Sequence, residues 1–220
     1  MRNLKFEENE FYHIFNRGVD KRIIFTSSKD LDRFIEGMSE FNTSEKIGNI
    51  DRNHSESKSK KLVEFIAYCL NPNHYHFILR QVCDKGMERF MHKIGMGYAK
   101  YFNIRNRRSG SLFQGKFKAV HIETNEQLLH TSVYVNLNNK VHRYPQSALY
   151  KSSWDEYTGK AGNKLCTKNL ILEQFKNILE YKKFAEESLK DIIKKKDLLK
   201  ELEGESVLTP SVNKRKRRRN

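Results

Sequence analysis

The 220-residue sequence has only three cysteines, Cys69, Cys83 and Cys166, which lie far apart and form no CxxC pair. That spacing argues against a disulfide scaffold and a zinc ribbon, and it suits a reducing cytosol. Long apolar runs are also missing. The longest, Phe65 to Leu70, covers six residues, where a membrane-spanning helix needs roughly 20. The first ten residues, MRNLKFEENE, contain no apolar segment, so neither a secretion signal nor a transmembrane helix is expected. Acid is absent over a long internal stretch. No Asp or Glu occurs from Arg89 through Ile122, while eight bases and six aromatics do. A solvated helix face normally mixes signs, so such a stretch points to phosphate binding.

What is present agrees with that reading. Forty-two Lys and Arg face 27 Asp and Glu, a net charge of +15. The commonest partner of such a chain is nucleic acid, with an anionic membrane surface second. Fourteen Phe and ten Tyr supply a compact core and exclude wholesale disorder. Residues 161–220 carry 16 bases and nine acids, and six of those bases form one run, Lys214 to Arg219. Like charges with nothing apolar to bury cannot fold alone, so residues 209–220 are read as a disordered basic tail.

Local pattern sets out the elements. Phe11 to Asn16 reads as a strand that ends at Arg17-Gly18. Leu31, Phe34, Ile35, Met38 and Phe41 fall at helical offsets after Ser28, with Asp30 and Asp32 in the first turn. Residues 43–61 are polar and read as an exposed loop. Leu62 to Leu70 and His74 to Arg80 read as a strand pair around the turn Asn71-Pro72-Asn73. Met87, Phe90, Met91, Ile94, Tyr98, Tyr101 and Phe102 form one helical stripe over 84–105, and Tyr98 and Tyr101 read as core. Lys116 to Ile122 alternates as a strand. Thr124 with Gln127 is a capping box that opens a helix to about Asn139. Residues 144–163 look irregular, and two helical segments follow, about 168–181 and 182–203. The order βαββαβα predicts an α+β, ferredoxin-like antiparallel sheet with helices on one face and a C-terminal helical extension. The domains expected are 1–160, 161–208 and the tail 209–220.

Two features could carry chemistry. His74 and His76 are separated by one residue in a strand, so both imidazoles share a face and Tyr75 takes the other. Their spacing of about 7 Å suits two ligands of one metal ion. In the helix after Thr124, Leu128, Leu129, Val133, Val135 and Leu137 cover one side. Gln127, Thr131, Tyr134 and Asn138 line the opposite side. Tyr134 and Asn138 are four apart and stack on one face, so this Tyr is not placed to fill the apolar core.

These residues carry a family resemblance. AYCLNPNHYHFIL resembles the MPNHVHLL-type segment of the HUH single-tyrosine transposases, and FNRGVDKRIIF resembles their NRG…IF element. GSLFQGKFKAVHI and YVNLN are similar to their LFQGRFKS strand and YIHLNP helix. The four motifs occur in order over residues 10–160, and the REP-associated tyrosine transposases are the branch most resembled. The resemblance implies that His74 and His76 bind a divalent metal (Mg²⁺ or Mn²⁺), with Asn138 as third ligand and Tyr134 as nucleophile. Asn136 stands where many relatives have His, and Asn139 where they have Pro.

The function expected is then metal-dependent cutting and rejoining of single-stranded or hairpin DNA through a 5′-phosphotyrosine. A divalent cation offsets charge on the phosphate, and the covalent bond retains the energy needed for rejoining. DNA contacts are expected at Arg17, Lys21, Arg22, Arg105, Arg107, Arg108, Gln114, Lys116 and Lys118, along the acid-free helix, and through stacking by Phe113 or a neighbouring aromatic. No small-molecule cofactor and no membrane partner is expected. The chain is expected to be a monomer or homodimer, in a bacterial cytoplasm near the nucleoid. The competing class is a non-catalytic single-stranded DNA- or RNA-binding module on a ferredoxin-like fold. The aromatic RNA-binding signature such modules carry is absent, as is the second HxT/S motif of a two-histidine phosphoesterase.

Overall fold

The structure is a computed structural model that describes residues 4–44, 60–160 and 165–202, with side chains described to residue 199. The run Lys214 to Arg219 and most of the polar segment 43–61 lie outside the described residues. The elements run β1 (Phe11–Arg17), a 3-10 turn (Val19–Lys21), α1 (Ser28–Glu40), β2 (Val63–Asn71), β3 (His74–Gln81), α2 (Gly86–Arg105), β4 (Lys118–Ile122) and α3 (Asn125–Asn136). They continue with α4 (Asn138–Val141), β5 (Lys151–Ser152), α5 (Trp154–Tyr157), α6 (Asn169–Leu172) and α7 (Ile178–Leu202).

The strands form one antiparallel sheet in the order β4-β1-β3-β2-β5. The first four strands have the ferredoxin-like order that the βαββαβα pattern predicts. The short β5, within a segment read as irregular, extends the β2 edge.

The helices differ from expectation in their placement, because they cover both faces. Tyr12, Ile14, Tyr75, Phe77 and Leu79 pack with Leu31 and Phe34 of α1 and Phe90 and Ile94 of α2. Ile66, Ala67, Cys69 and Ile78 pack with Leu128 and Val135 of α3 and with Tyr157 and Tyr181. The cause lies in β2 and β3, which are buried on nearly every residue. A strand that is apolar on both sides needs cover on both sides. A bulge between Phe65 and Ala67 turns Ile66 and Ala67 to the same face.

The C-terminal extension belongs to this second layer. Val133 and Leu137 pack against Ala185 of α7, and His130 Nδ1 meets Ser188 Oγ at 2.5 Å. In place of the two expected segments there is one turn of helix, α6, and then one long helix. The break falls at Asn177, whose side chain accepts from Glu180 N at 3.0 Å, while Glu180 Oε2 accepts from Lys176 N at 2.6 Å. A cap of this kind starts a new helix.

The helix after Thr124 has the expected capping box, with Thr124 Oγ1 accepting from Gln127 N at 3.1 Å. It does not run unbroken to 139. At Leu137 the backbone leaves helical angles (φ −111°, ψ 22°), and α4 starts from there. Asn136 holds this bend from inside. It is fully buried, accepts from Ser153 Oγ at 2.5 Å and donates to Tyr181 Oη at 3.2 Å. The residue standing in place of a family His therefore braces the bend and does not meet the HxH pair.

Candidate active site

The sheet register places the polar residues. β1 and β3 pair with Phe15 opposite His76 and Arg17 opposite His74. Directly opposed residues in an antiparallel pair share a face. That face carries His74, His76, His13 and Phe15, while Tyr75 and Phe77 enter the other core. The turn before β3 is held from β1. Gly18 N donates to Asn73 O at 2.8 Å, and Ile24 N to Pro72 O at 2.8 Å. A Cβ on Gly18 would lie 2.2 Å from Arg22 O, so the NRG element requires glycine there.

Each imidazole has a defined partner. Asn73 spends its amide nitrogen on Lys21 O at 3.3 Å and presents Oδ1 to His74 Nδ1 at 2.7 Å. Oδ1 also accepts from Tyr144 Oη at 3.0 Å. This network assigns the His74 proton to Nδ1 and leaves Nε2 as a lone pair. His76 Nδ1 lies 2.9 Å from His13 Nε2, which leaves His76 Nε2 for a ligand. Burial pushes His13 down to about 4 and His76 well below the usual imidazole range. Burial also lowers His74, with Asn138 acting in the opposite direction. All three rings are therefore neutral near pH 7, the form that binds metal.

The helix side arrives through the bend at Leu137. Asn138 is fully buried, and its Oδ1 stands 3.0 Å from His74 Nε2. Both atoms carry lone pairs, and Asn71 Nδ2 donates to each, at 2.8 Å to Asn138 and 3.0 Å to His74. Asn138 Nδ2 has no partner. Two acceptors in contact are relieved by a cation between them, so these residues fit a divalent ion. The His142 ring lies 4.7 Å from that of His74. One nitrogen each from His74, His76 and His142 lies within 4.8 Å of the others, the only such group among the described residues. His142 and His13 were not anticipated from the sequence. His142 does lie four residues after Asn138, one helical turn on.

Tyr134 stands against histidines of its own chain, with ring centroids 5.4 Å from His76 and 5.6 Å from His13, both edge-on. Tyr134 and Asn138 are thus turned to the sheet beside Leu128 and Val135, while α7 takes the Val133 and Leu137 side. Burial raises the Tyr134 phenol above its ordinary value, and the nearby Asn138 side chain acts against this.

Among the expected phosphate contacts, Arg17 is exposed beside His74 and bonds Gln114 Oε1 through Nε. Lys21, Arg22, Gln114, Lys116 and Lys118 are exposed. Lys118 pairs with Phe15 and so shares the histidine face. Arg107 is exposed in a left-handed turn (φ 48°). Arg105 is tied to buried Asp30 at 3.0 Å and Tyr101 at 2.8 Å. Arg108 braces its own loop through Asn103 and Ser111 O. Two expectations fail. Phe113 is buried against Tyr75 at 5.7 Å, so it does not stack on bases. Helix α2, which holds the first half of the acid-free stretch, lies on the other face with α1, where Arg89 donates to Ser44 O at 2.7 Å.

Comparisons with known proteins bear on the family and the fold. A family described as "Transposase IS200 like" matches residues 12–138. No curated protein matches the chain. Six solved chains match in fold. One, described as the structure of the REP-associated tyrosine transposase bound to a REP hairpin, aligns with a TM-score of 0.52 at 13% identity. The alignment covers 74% of this chain and 92% of that one.

Proposed function

This chain belongs to the IS200-like transposase family, and on that footing we propose that it cuts and rejoins single-stranded DNA, at hairpin-associated sites, through a covalent bond to Tyr134. The observation that carries this reading is the contact of the Tyr134 ring with His76 at 5.4 Å, beside the lone-pair pocket of His74 and Asn138. His74, His76 and Asn138 would hold the cation. A divalent ion there supplies Lewis acidity that offsets the charge developing on the phosphate.

The remaining work falls to the chain. His13 fixes the tautomer and orientation of His76, and Asn73 those of His74. Asn138 meets His74 and lies one helical turn from Tyr134, so one side chain stands between metal ligand and nucleophile. Tyr134 Oη attacks phosphorus, and the bond from phosphorus to the 3′ oxygen breaks. The products are a 5′-phosphotyrosine and a free 3′-OH, and the phenolic proton balances the one gained by the leaving oxygen. A second 3′-OH reverses the step and joins strands. Arg17, Lys21, Arg22, Lys116 and Lys118 give the backbone a basic path to this point, with Gln114 held beside Arg17. The protein from the REP hairpin complex is only distantly similar, but it supports a hairpin as the substrate to try first.

The test is a cleavage assay with labelled hairpin oligonucleotides, Mn²⁺ or Mg²⁺, and an EDTA control. The wild type forms a denaturation-resistant adduct. Tyr134→Phe forms none and binds the same oligonucleotide as tightly. Metal-independent binding with no adduct in the wild type would mark a non-catalytic module instead.

A further inference from the structure

His142 ends α4 and takes the α-helical bond one turn on from Asn138, with its N–H donating to Asn138 O at 3.0 Å. The bend at Leu137 that brings Asn138 to His74 therefore brings His142 as well. Its ring packs on His74 at 4.7 Å, and its ligand nitrogen lies within 4.8 Å of those of His74 and His76. Donors on one ion at about 2.1 Å stand about 3.4 Å apart in a tetrahedral site, so closure needs a shift of roughly an ångström. His142 sits at a helix end on a half-buried side chain, where such a shift is small.

We propose that His142 is a further ligand of the ion held by His74, His76 and Asn138, and that this three-imidazole set selects a transition metal such as Mn²⁺, Co²⁺ or Zn²⁺ over Mg²⁺. The inference rests on the metal reading above and adds to it both a ligand and a choice of metal. Imidazole suits transition ions, whereas Mg²⁺ prefers oxygen ligands and keeps its water. The long C-terminal helix takes part in this choice. Lys196 Nζ donates to Val141 O at 2.9 Å and stands 3.2 Å from His142 Nδ1. An ammonium and a metal ion compete for the same ring, so α7 sets how readily His142 turns to the ion.

The experiment is a titration of the metal-free full chain with Co²⁺, read by its visible absorption bands, and separately with Mg²⁺ by calorimetry. Wild type, His142→Ala, His76→Ala and Lys196→Met are compared, each checked for folding by thermal melting. The wild type is expected to bind Co²⁺ at least about tenfold more tightly than Mg²⁺. His142→Ala is expected to weaken Co²⁺ at least about tenfold and to change the band positions, since even groups that only orient a ligand are worth about that much. Lys196→Met is expected to bind Co²⁺ more tightly than wild type. Unchanged Co²⁺ affinity and spectrum in His142→Ala, with binding lost in His76→Ala, would overturn the role of His142 and leave the two-histidine site standing. Equal weakening in Lys196→Met and His142→Ala would assign the loss to the α7 contact and overturn it too. Absence of Co²⁺ binding in the wild type would overturn both this inference and the metal reading.

Discussion

Alternate residues of β3 enter two different halves of the molecule. Tyr75, Phe77 and Leu79 are buried among the aromatic and aliphatic side chains of α1 and α2. His74 and His76 face His13, Asn138 and Tyr134 under α3. Among the described residues, the buried polar groups of the first half have their partners. Asp30 alone accepts from Thr26 N and Oγ1, Ser27 N, Tyr101 and Arg105. In the second half, lone pairs meet lone pairs and a buried amide lacks a partner. One strand with a two-residue period thus separates the layer that holds the fold from the layer open to chemistry.

Substitutions on the two sides of β3 should separate the same way. The largest effect is expected from Phe77→Ala, which empties a fully buried aromatic site and costs about 3–5 kcal/mol. It is read from the urea unfolding midpoint. His76→Ala, one residue away, should slow strand cleavage by about a hundredfold to a thousandfold. Its cost in stability is about 1 kcal/mol, from the partner lost to His13. If His76→Ala unfolded the protein as far as Phe77→Ala does, the division of labour would be wrong.

Asp30→Asn should cost about 2 kcal/mol through hydrogen bonds lost to a buried carboxylate. Burial alone would raise this carboxyl, but the hydrogen bonds from Thr26 and the nearby Arg105 outweigh it and hold its pKa below the ordinary value. The stabilisation is therefore fully present above the unfolded value of about 3.9 and is lost as pH falls through the lower folded value. Unfolding midpoints from pH 2 to 6 should show wild type and Asp30→Asn converging at the acid end. The smallest effect is expected from Lys118→Ala, an exposed residue on the histidine face. It should weaken single-strand binding a few-fold and reduce the slope of log affinity against log salt by about 0.7.

The sheet and the HxH-Tyr-Asn set were legible in the sequence, because strand alternation and the capping box at Thr124 are local signals. Helix cover on both faces was missed, although the apolar run Phe65 to Leu70 of β2, too apolar for a one-sided sheet, carried the signal. His13 was not legible, since its meeting with His76 depends on a register across 63 residues. Nor was His142, which reaches the site only because the helix bends at Leu137, and that bend is held by Asn136, Ser153 and Tyr181 from three separate segments. The basic stretch misled for a similar reason. It is continuous in sequence, but α2 takes its first half to the other face and only the part near Lys116 and Lys118 reaches the histidine end.

The central claim is that Tyr134 becomes covalently joined to DNA. The direct measurement is mass spectrometry of the proteolysed adduct between the wild-type chain and a hairpin oligonucleotide. The account predicts one modified peptide, spanning Tyr134 and carrying a 5′-linked nucleotide, in the presence of the divalent ion and not with EDTA. A nucleotide on another residue, or cleaved DNA with Tyr134 unmodified throughout, would contradict it.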